Sequence, residues 1–350
     1  MLVSEFDFDL PEDLIAQTAA PRGESRLLVL DKASGDLSHH SIADLPGVLR
    51  PGDLLVVNNT RVFAARLLGH RVPTGGAVEC LLLSQRTDGA SGEWNALMHP
   101  GQKLKPGALV RFEGEAGALM GEVLERHFQG RRTIRLWTES QGDVDGLVDA
   151  LGHVPLPPYI RREDTPADRE RYQTVFARER GSVAAPTAGL HFSNDLLDAL
   201  AAKGIERTEI TLHVGYGTFK PIKVDRVEDH VVDPEFYEIS DEAAAAIARA
   251  RSAGRRVIAV GTTTTRALED AASRGNGTVD AGTGSAGLFI YPGFEFKVIN
   301  GLLTNFHLPK SSLLMLVCAF AGREVILDAY RTAVEHRYRF YSYGDAMLIA

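Results

Sequence analysis

The sequence predicts an α/β protein interrupted by an all-β insert. Three observations carry this reading. First, apolar runs of strand length, such as 54–57 and 256–260, alternate with helical segments at both ends of the chain. Second, from about Ala65 to Glu139 the texture changes to short alternating segments (77–83, 93–98, 108–112, 119–125 and 133–137) split by Gly, Pro and charged residues. No helical period survives there, which is the pattern of a small barrel or sandwich. Third, the extended stretch Gly-His-Val-Pro-Leu-Pro-Pro-Tyr at 152–159 leads back to an α/β rhythm. The predicted organisation is discontinuous: 1–64 with 152–350 as the α/β domain, and 65–151 as the insert.

The elements are justified in order. Residues 6–10 alternate like a short strand stopped by Pro11, and 12–18 reads as a short helix. Arg26-Leu-Leu-Val-Leu is a strand, and Leu54-Leu-Val-Val is another, apolar throughout and so buried on both faces. The stretch 161–180 carries six arginines against five carboxylates and reads as a solvated face. Ser193 is an N-cap for a helix ending at Gly204. Residues 206–214 form a strand, 241–253 an alanine-rich helix closed by Gly254, and 256–260 a buried strand before the helix 266–273. Residues 288–291 and 294–299 read as strands, and 301–306 as a buried one. Residues 313–321 are apolar all round: a buried helix capped by Ser311 or Ser312 and ended by Gly322. An amphipathic helix spans 323–336.

Composition bounds the function. Of 350 residues, 44% are hydrophobic and 24% charged, enough for a sizeable core. The net charge of −8 means that a polynucleotide partner requires a local basic surface. The two cysteines, Cys80 and Cys318, lie in apolar runs, which excludes a disulfide framework and a cysteine-rich zinc site and fits a reducing compartment. The acidic N-terminus lacks a leader pattern, and no apolar stretch reaches membrane-spanning length. A cytoplasmic location is expected.

Polar knots occur where strands end: Asn58–Arg61, Pro186–Phe192, His213–Lys220, Gly261–Arg266 and Asn305–Ser311. Strand carboxyl ends of a parallel sheet share one edge, so these knots should converge. A single histidine is as readily an internally bonded core group as a functional one. Three of the eleven, His191, His213 and His307, lie in knots, and histidine is the side chain suited to proton exchange near neutral pH. Asp345 is either a ligand contact or a cap. Gly261-Thr-Thr-Thr-Thr before a helix either holds an anion or caps itself. Gly282-Thr-Gly-Ser-Ala-Gly287 matches G-x-G-x-x-G literally but has no strand before it and no helix after it; it reads as a flexible loop.

Longer strings carry a resemblance. Val-Ala-Ala-Pro-Thr-Ala-Gly-Leu-His-Phe at 183–192, Thr-Leu-His-Val-Gly-Tyr-Gly-Thr-Phe at 211–219 and Val-Gly-Thr-Thr at 260–263 are three of them. Leu-Thr-Asn-Phe-His-Leu-Pro-Lys-Ser-Ser-Leu-Leu-Met-Leu-Val at 303–317 and Tyr-Gly-Asp-Ala-Met at 343–347 are two more. With Asn-Asn-Thr-Arg-Val at 58–62 and the 152–160 string, they resemble the S-adenosylmethionine:tRNA ribosyltransferase-isomerases, in order from Phe6 to Ile349. The resemblance implies an irregular α/β barrel main domain with an inserted all-β small barrel. It implies transfer and isomerisation of the ribosyl part of S-adenosylmethionine onto 7-aminomethyl-7-deazaguanine at a tRNA wobble position. Epoxyqueuosine forms, adenine and methionine leave, and neither a metal nor an obligatory protein partner is needed.

The resemblance also implies roles. His191, His213 and His307 hold the acid–base work, with Asp345 as orienter or amine contact. Thr262, Thr263 and Arg266 grip a carboxylate or phosphate, and Asn305, Lys310 and Ser311 the nucleoside. Pro186, Thr187, Gly189, Gly215, Gly217, Thr218 and Gly261 complete the S-adenosylmethionine site, and Asn59, Arg61, Arg131, Arg132, Arg161 and Arg162 face the tRNA anticodon loop. There are departures. Val232-Asp-Pro-Glu235 stands where the family often reads Met-His-Ser-Glu, with His230 nearby, and 284–287 replaces a common Trp-Thr-Asp. Thr264-Thr-Arg266 replaces Ser-Val-Arg and keeps the arginine. Two rivals are a methyltransferase using the same cofactor, told apart by methylated tRNA instead of free adenine, and a non-catalytic RNA-binding module. The second requires Arg131, Arg132, Arg135, Arg161 and Arg162 on one face.

Overall fold

A computed structural model describes residues 1–86, 92–139 and 142–350, apart from the Phe219 side chain. The chain opens with β1 (Arg26–Leu30), β2 (Leu37–Ser41), α1 (Leu45–Val48), β3 (Leu54–Asn58) and β4 (Thr60–Val62). The insert holds β5 (Arg66–Val72), β6 (Ala77–Gln85), β7 (Glu93–His99), β8 (Leu109–Gly114), β9 (Gly117–Arg126) and β10 (Arg131–Thr138). Then come α2 (Val144–Leu151), α3 (Pro166–Arg171), β11 (Glu179–Ser182), α4 (Asn194–Ala202), β12 (Glu206–Leu212) and β13 (Glu235–Ile239). The rest is α5 (Asp241–Ser252), β14 (Val257–Val260), α6 (Thr262–Arg274), β15 (Gly282–Ala286), β16 (Gly301–Asn305), α7 (Ser312–Ala321), α8 (Arg323–Glu335) and β17 (Ala346–Ile349).

The α/β class and the inserted barrel are as expected. The main sheet has nine strands in the order β15-β13-β12-β3-β14-β16-β17-β1-β2. Its centre, β12, β3, β14 and β16, is parallel. Both faces are covered, which is why β3 reads as an unbroken apolar run. Leu54 and Val56 join the core that contains Ile247, Leu268 and Val317; Leu55 and Val57 join the core of Phe192, Leu196 and Leu200 on the opposite face. Each such buried side chain contributes about 1.5–3 kcal/mol. In α7 the all-round apolar sequence is matched by burial, with Leu314 to Cys318 and Phe320 inside, and the Ser311 hydroxyl accepts Leu314 N–H at 3.2 Å as the N-cap.

The insert is a closed antiparallel barrel in the order β10-β7-β6-β5-β8-β9. Val78, Cys80 and Leu82 of β6 point inward, in the period-two pattern of a half-buried strand. α2 lays Val148 on the barrel core, with Leu147 and Leu151 beside it. The chain crosses itself where it enters and leaves the barrel: Arg66 and His153 exchange backbone hydrogen bonds, at 2.8 and 3.3 Å.

Several expectations are corrected. Residues 12–18 form only a 3-10 turn, Glu12–Leu14, because Ile15 bridges to Phe340 and pulls the chain straight. Residues 6–10 are not a strand; the first turn is 3-10, Val3–Phe6. The stretch 161–180 is solvated at most of its charged residues, including Arg161, Glu163, Arg169, Glu170, Arg178 and Glu179, but not at all of them. Asp168 and Tyr172 are buried, and Asp168 takes both Arg162 guanidinium nitrogens and the Tyr343 hydroxyl. The 282–287 stretch is not a loop: β15 pairs along β13. Residues 288–291 and 294–299 lie outside the strands. The buried Glu269 carboxylate accepts the Lys297, Val298 and Ile299 N–H groups at 2.7–3.1 Å, so a side chain does what a ladder would have done.

Gly152 ends α2 against the chain entering the barrel. A Cβ there would sit 1.9 Å from the Ala64 carbonyl oxygen and 2.6 Å from that of Val148. Gly152→Ala should therefore lower the thermal midpoint clearly, by about 2 kcal/mol or more of lost stability. Gly47→Ala, with nothing within 4 Å of its Cβ, should not. Equal midpoints in differential scanning fluorimetry would contradict this account of the crossing.

Candidate functional site at the carboxyl edge of the main sheet

Parallel direction places the ends of β12, β3, β14 and β16 on one edge, so His213, Asn59, Gly261 and Asn305 lie along a single rim. β17 and β1 run the other way, which brings Asp345 and Ser25, the residues just before them, to the same edge. The 3-10 turn Thr187–His191 lies across this rim. His191 bonds Ser25 and Asn305, and Ala188 packs 3.7 Å from the position a Gly261 Cβ would take. The five knots do meet.

The three histidines differ in setting. The buried His191 accepts Asn305 Nδ2–H at Nε2 (3.2 Å) and donates from Nδ1 to Ser25 Oγ (2.8 Å). Burial pulls it down to about 4. His307 is buried against Thr304, whose Oγ1 is 3.0 Å from Nε2, and burial pulls it down to about 3. His213 is only half-buried. Its ring lies between the Gly181 backbone and Phe236, stacked at 6.0 Å; a Cβ on Gly181 would come within 2.6 Å of it. Thr60 Oγ1 lies 2.8 Å from His213 Nδ1 and 3.4 Å from the Glu179 carbonyl oxygen. Nε2 has no hydrogen-bond partner among the described residues, so it is the ring nitrogen open to a ligand. Burial lowers its pKa, opposed by the carboxylates of Glu179 and Glu238.

Asn58 and Thr60 of the first knot, Glu235 and Ser25 are parts of the site to which the sequence assigned no role. Asn58 ties β3 to β12: Nδ2 donates to Leu212 O, and Oδ1 accepts Leu212 N–H and Thr60 N–H, all at 2.9–3.1 Å. Its signal was a buried strand running into polar residues. The buried Glu235 accepts Gly215 N–H at 2.8 Å and Thr218 Oγ1–H at 3.4 Å and pairs with Arg266 at 2.8 Å, ordering the loop after His213. In the sequence it stood out only as the retained Glu of the 232–235 string.

Other expected site residues are placed as follows. Asn305 spends both amide hydrogens, on His191 and on Tyr341 O (3.0 Å), and its Oδ1 is buried without a partner among the described residues. Thr264 and Thr265 hydroxyls bond back to Val260 O and Gly261 O, whereas Thr262 and Thr263 hydroxyls have no such bond at the start of the 13-residue α6. Pro186 O accepts Gly189 N–H at 2.9 Å, closing the turn that holds Thr187. Asn59 is buried, accepting Thr211 Oγ1–H at 2.8 Å, and Arg61 is exposed beside it. Three further side chains are engaged within the protein. Arg266 turns away from the rim to Glu235 and to the carbonyls of Ala286 and Leu288. Lys310 pairs with Asp7 at 2.6 Å, because positive φ at Lys310 and its N–H bond to Phe6 O aim it at the N-terminal turn. Asp345 is buried as a backbone clamp, accepting Arg26 N–H (3.1 Å) and Arg339 N–H (2.8 Å). Among the described residues no group of three or more His, Cys, Asp or Glu is placed to hold a metal, and no helix is long and apolar enough to cross a membrane.

A cleft of about 1860 Å³ separates the barrel from the main body. Its floor includes Tyr216 and Lys220, a few residues beyond His213, and one wall is the 154–158 linker. Eight arginines and lysines line it against five carboxylates, a cationic surface on an acidic chain. Arg131 and Arg161 are on it, but Arg132 is a correction: its guanidinium is buried against the carbonyls of Leu104, Arg131 and Gly101. Arg162 is held by Asp168 at 2.7 Å. Arg135 pairs with Glu93.

A profile of the family described as "Queuosine biosynthesis protein" matches residues 3–349. The chain belongs to this family. It is 53% identical over 350 residues, the full length of both, to a protein of Heliobacterium modesticaldum named S-adenosylmethionine:tRNA ribosyltransferase-isomerase. It is 51% identical over 351 residues to one of the same name from Aquifex aeolicus, again covering all of both. Among solved structures, an S-adenosylmethionine tRNA ribosyltransferase of Thermotoga maritima matches with a TM-score of 0.55 and 36% identity, covering 99% of this chain and 100% of that one.

Within the queuosine biosynthesis family, the departures noted in the sequence now have local explanations. Asp233, where a histidine is expected, accepts Arg131 at 2.9 Å and Lys220 at 2.5 Å and so ties the barrel to the loop after His213. Gly284, in place of the Trp-Thr-Asp string, lies under Tyr237: a Cβ would meet that ring at 2.3 Å. The Tyr237 hydroxyl in turn donates to Asp270 at 3.0 Å.

Because His191 and His307 bind protons more weakly folded than unfolded, where the value is about 6.5, stability is full above that pH. It is lost as pH falls toward about 4, since the unfolded chain takes up the protons first. For His191 the loss is about 3 kcal/mol. Unfolding free energies at pH 7 and 4.5 should differ less in His191→Gln than in the parent protein. An identical pH slope would contradict the neutral, buried ring.

Proposed function

We propose that this chain transfers and isomerises the ribosyl moiety of S-adenosylmethionine onto 7-aminomethyl-7-deazaguanine at the wobble position of tRNA, releasing adenine and methionine. Family membership supports the reaction class. The observation that carries the mechanism is the half-buried His213, held by Thr60 with Nε2 open. The sulfonium acidifies the neighbouring sugar C–H, and a neutral imidazole nitrogen is the base suited to take that proton. The neutral amine of the modified base attacks the sugar carbon, adenine leaves after protonation, and methionine leaves as the thioether. Thr262, Thr263 and the α6 N-terminus suit the methionine carboxylate. The unpaired Oδ1 of Asn305 suits an N–H of the nucleoside or the amino group of methionine, and His191 positions that amide. The cleft beside the rim suits the anticodon arm.

S-adenosylmethionine labelled in the ribose, incubated with tRNA bearing the aminomethyl base, should give labelled tRNA and free adenine. Label in neither product would sink the reading, and methylated tRNA without adenine would make the chain a methyltransferase. In His213→Gln, turnover at saturating substrates should fall about 100- to 10,000-fold with tRNA affinity retained. Undiminished turnover would remove His213 from the base role.

A further inference from the structure

Among the described residues the most exposed large apolar side chain is Phe128, at 93% relative exposure, whereas the barrel's Trp94 and Phe112 are buried. It lies in the β9–β10 connection and lines the cleft between barrel and main body. That connection is built to keep its shape. Gln129 and Gly130 both take positive φ, 56° and 81°, turning the chain sharply. His127 N–H bonds Arg131 O at 2.9 Å, and His127 Nε2 lies 3.0 Å from Thr133 Oγ1. Below it, the buried Arg132 binds the Leu104 carbonyl at 2.9 Å, anchoring the hairpin stem to the barrel wall. A floppy tip could fold its ring back onto the barrel; this one holds the ring in water.

The surroundings say what the ring is for. Its sequence neighbours Arg126, His127 and Gln129 are exposed and polar, and the apolar groups that share the cleft, Val231 and the 155–158 linker, belong to other segments. Arg126 and, across the cleft, Lys223 are exposed and make no ion pair among the described residues. An exposed aromatic face that shares a cleft with unpaired cations fits a single-stranded polynucleotide: the cations take phosphates and the ring takes a base. A protonated peptide would be repelled by the same cations.

We propose that Phe128 is a stacking platform for an unpaired base of the tRNA anticodon loop, with Arg126 and Lys223 as its phosphate contacts. This rests on tRNA being the substrate. Stacking makes no demand on base identity, so Phe128 contributes affinity and placement, while recognition of the modified base falls to the rim.

The test uses the full chain and an anticodon stem-loop carrying 2-aminopurine at each unpaired loop position in turn. The parent protein should quench one position. Phe128→Ala and Phe128→Leu should lose that quenching and bind about 5- to 150-fold more weakly. Phe128→Trp should restore both. The site is exposed, so all variants should keep the parent thermal midpoint. Parental affinity in Phe128→Ala or Phe128→Leu, or weakened binding without loss of quenching at any loop position, overturns the stacking assignment and leaves the tRNA reading intact. A parent protein that neither binds nor modifies tRNA overturns both.

Discussion

The site depends on one topological constraint: β12, β3, β14 and β16 run in the same direction. Side chains from residues as far apart in sequence as Asn58, His213, Gly261 and Asn305 share an edge only for that reason. The constraint is fixed locally by Asn58, which satisfies two N–H groups and one carbonyl at the junction of β3, β4 and β12. In a buried setting an amide with every partner in place is rigid, and one with a missing partner is costly. The Thr60 N–H that Asn58 holds belongs to the residue whose hydroxyl bonds His213 Nδ1.

Burial then sorts the three histidines. His191 and His307 sit where charge is expensive, with ring nitrogens engaged by Ser25, Asn305 and Thr304, and they shape the rim as neutral hydrogen-bonding groups. His213 keeps partial access to solvent and one ring nitrogen without a partner among the described residues. Three residues of the same kind, in strings of similar appearance, thus take different parts because their dielectric surroundings and partners differ.

Two modules meet beside this rim, and carboxylates hold them together. Asp233 bridges Arg131 of the barrel and Lys220 of the main body, and Glu235 orders the loop between His213 and Lys220. The two Asp233 ion pairs, partly exposed, are individually modest in energy. Their effect is geometric: they set the width of the cleft whose cationic lining departs from the sign of the whole chain.

Much was legible in the sequence because it is local. The period-two pattern of the insert, the unbroken apolar run of β3, and the Ser311 cap with Gly322 closing α7 come from side-chain spacing and backbone preference alone. The convergence of the polar knots was legible too, since parallel direction is dictated by α/β alternation. The features that sequence could not reach depend on partners distant along the chain. Arg132 and Arg131 are adjacent, yet one is buried in backbone carbonyls and the other faces the cleft. Residues 294–299 have a strand's composition, yet Glu269 satisfies N–H groups among them and no ladder forms. Arg266 is drawn from the expected anion site by Glu235, an attraction that exists only once β13 lies beside α6. The sequence by itself determined the elements, their order and the residue types at the rim. Only the tertiary structure decided which polar groups spend their hydrogen bonds internally and which keep one for a ligand, because that depends on what each group meets across the fold.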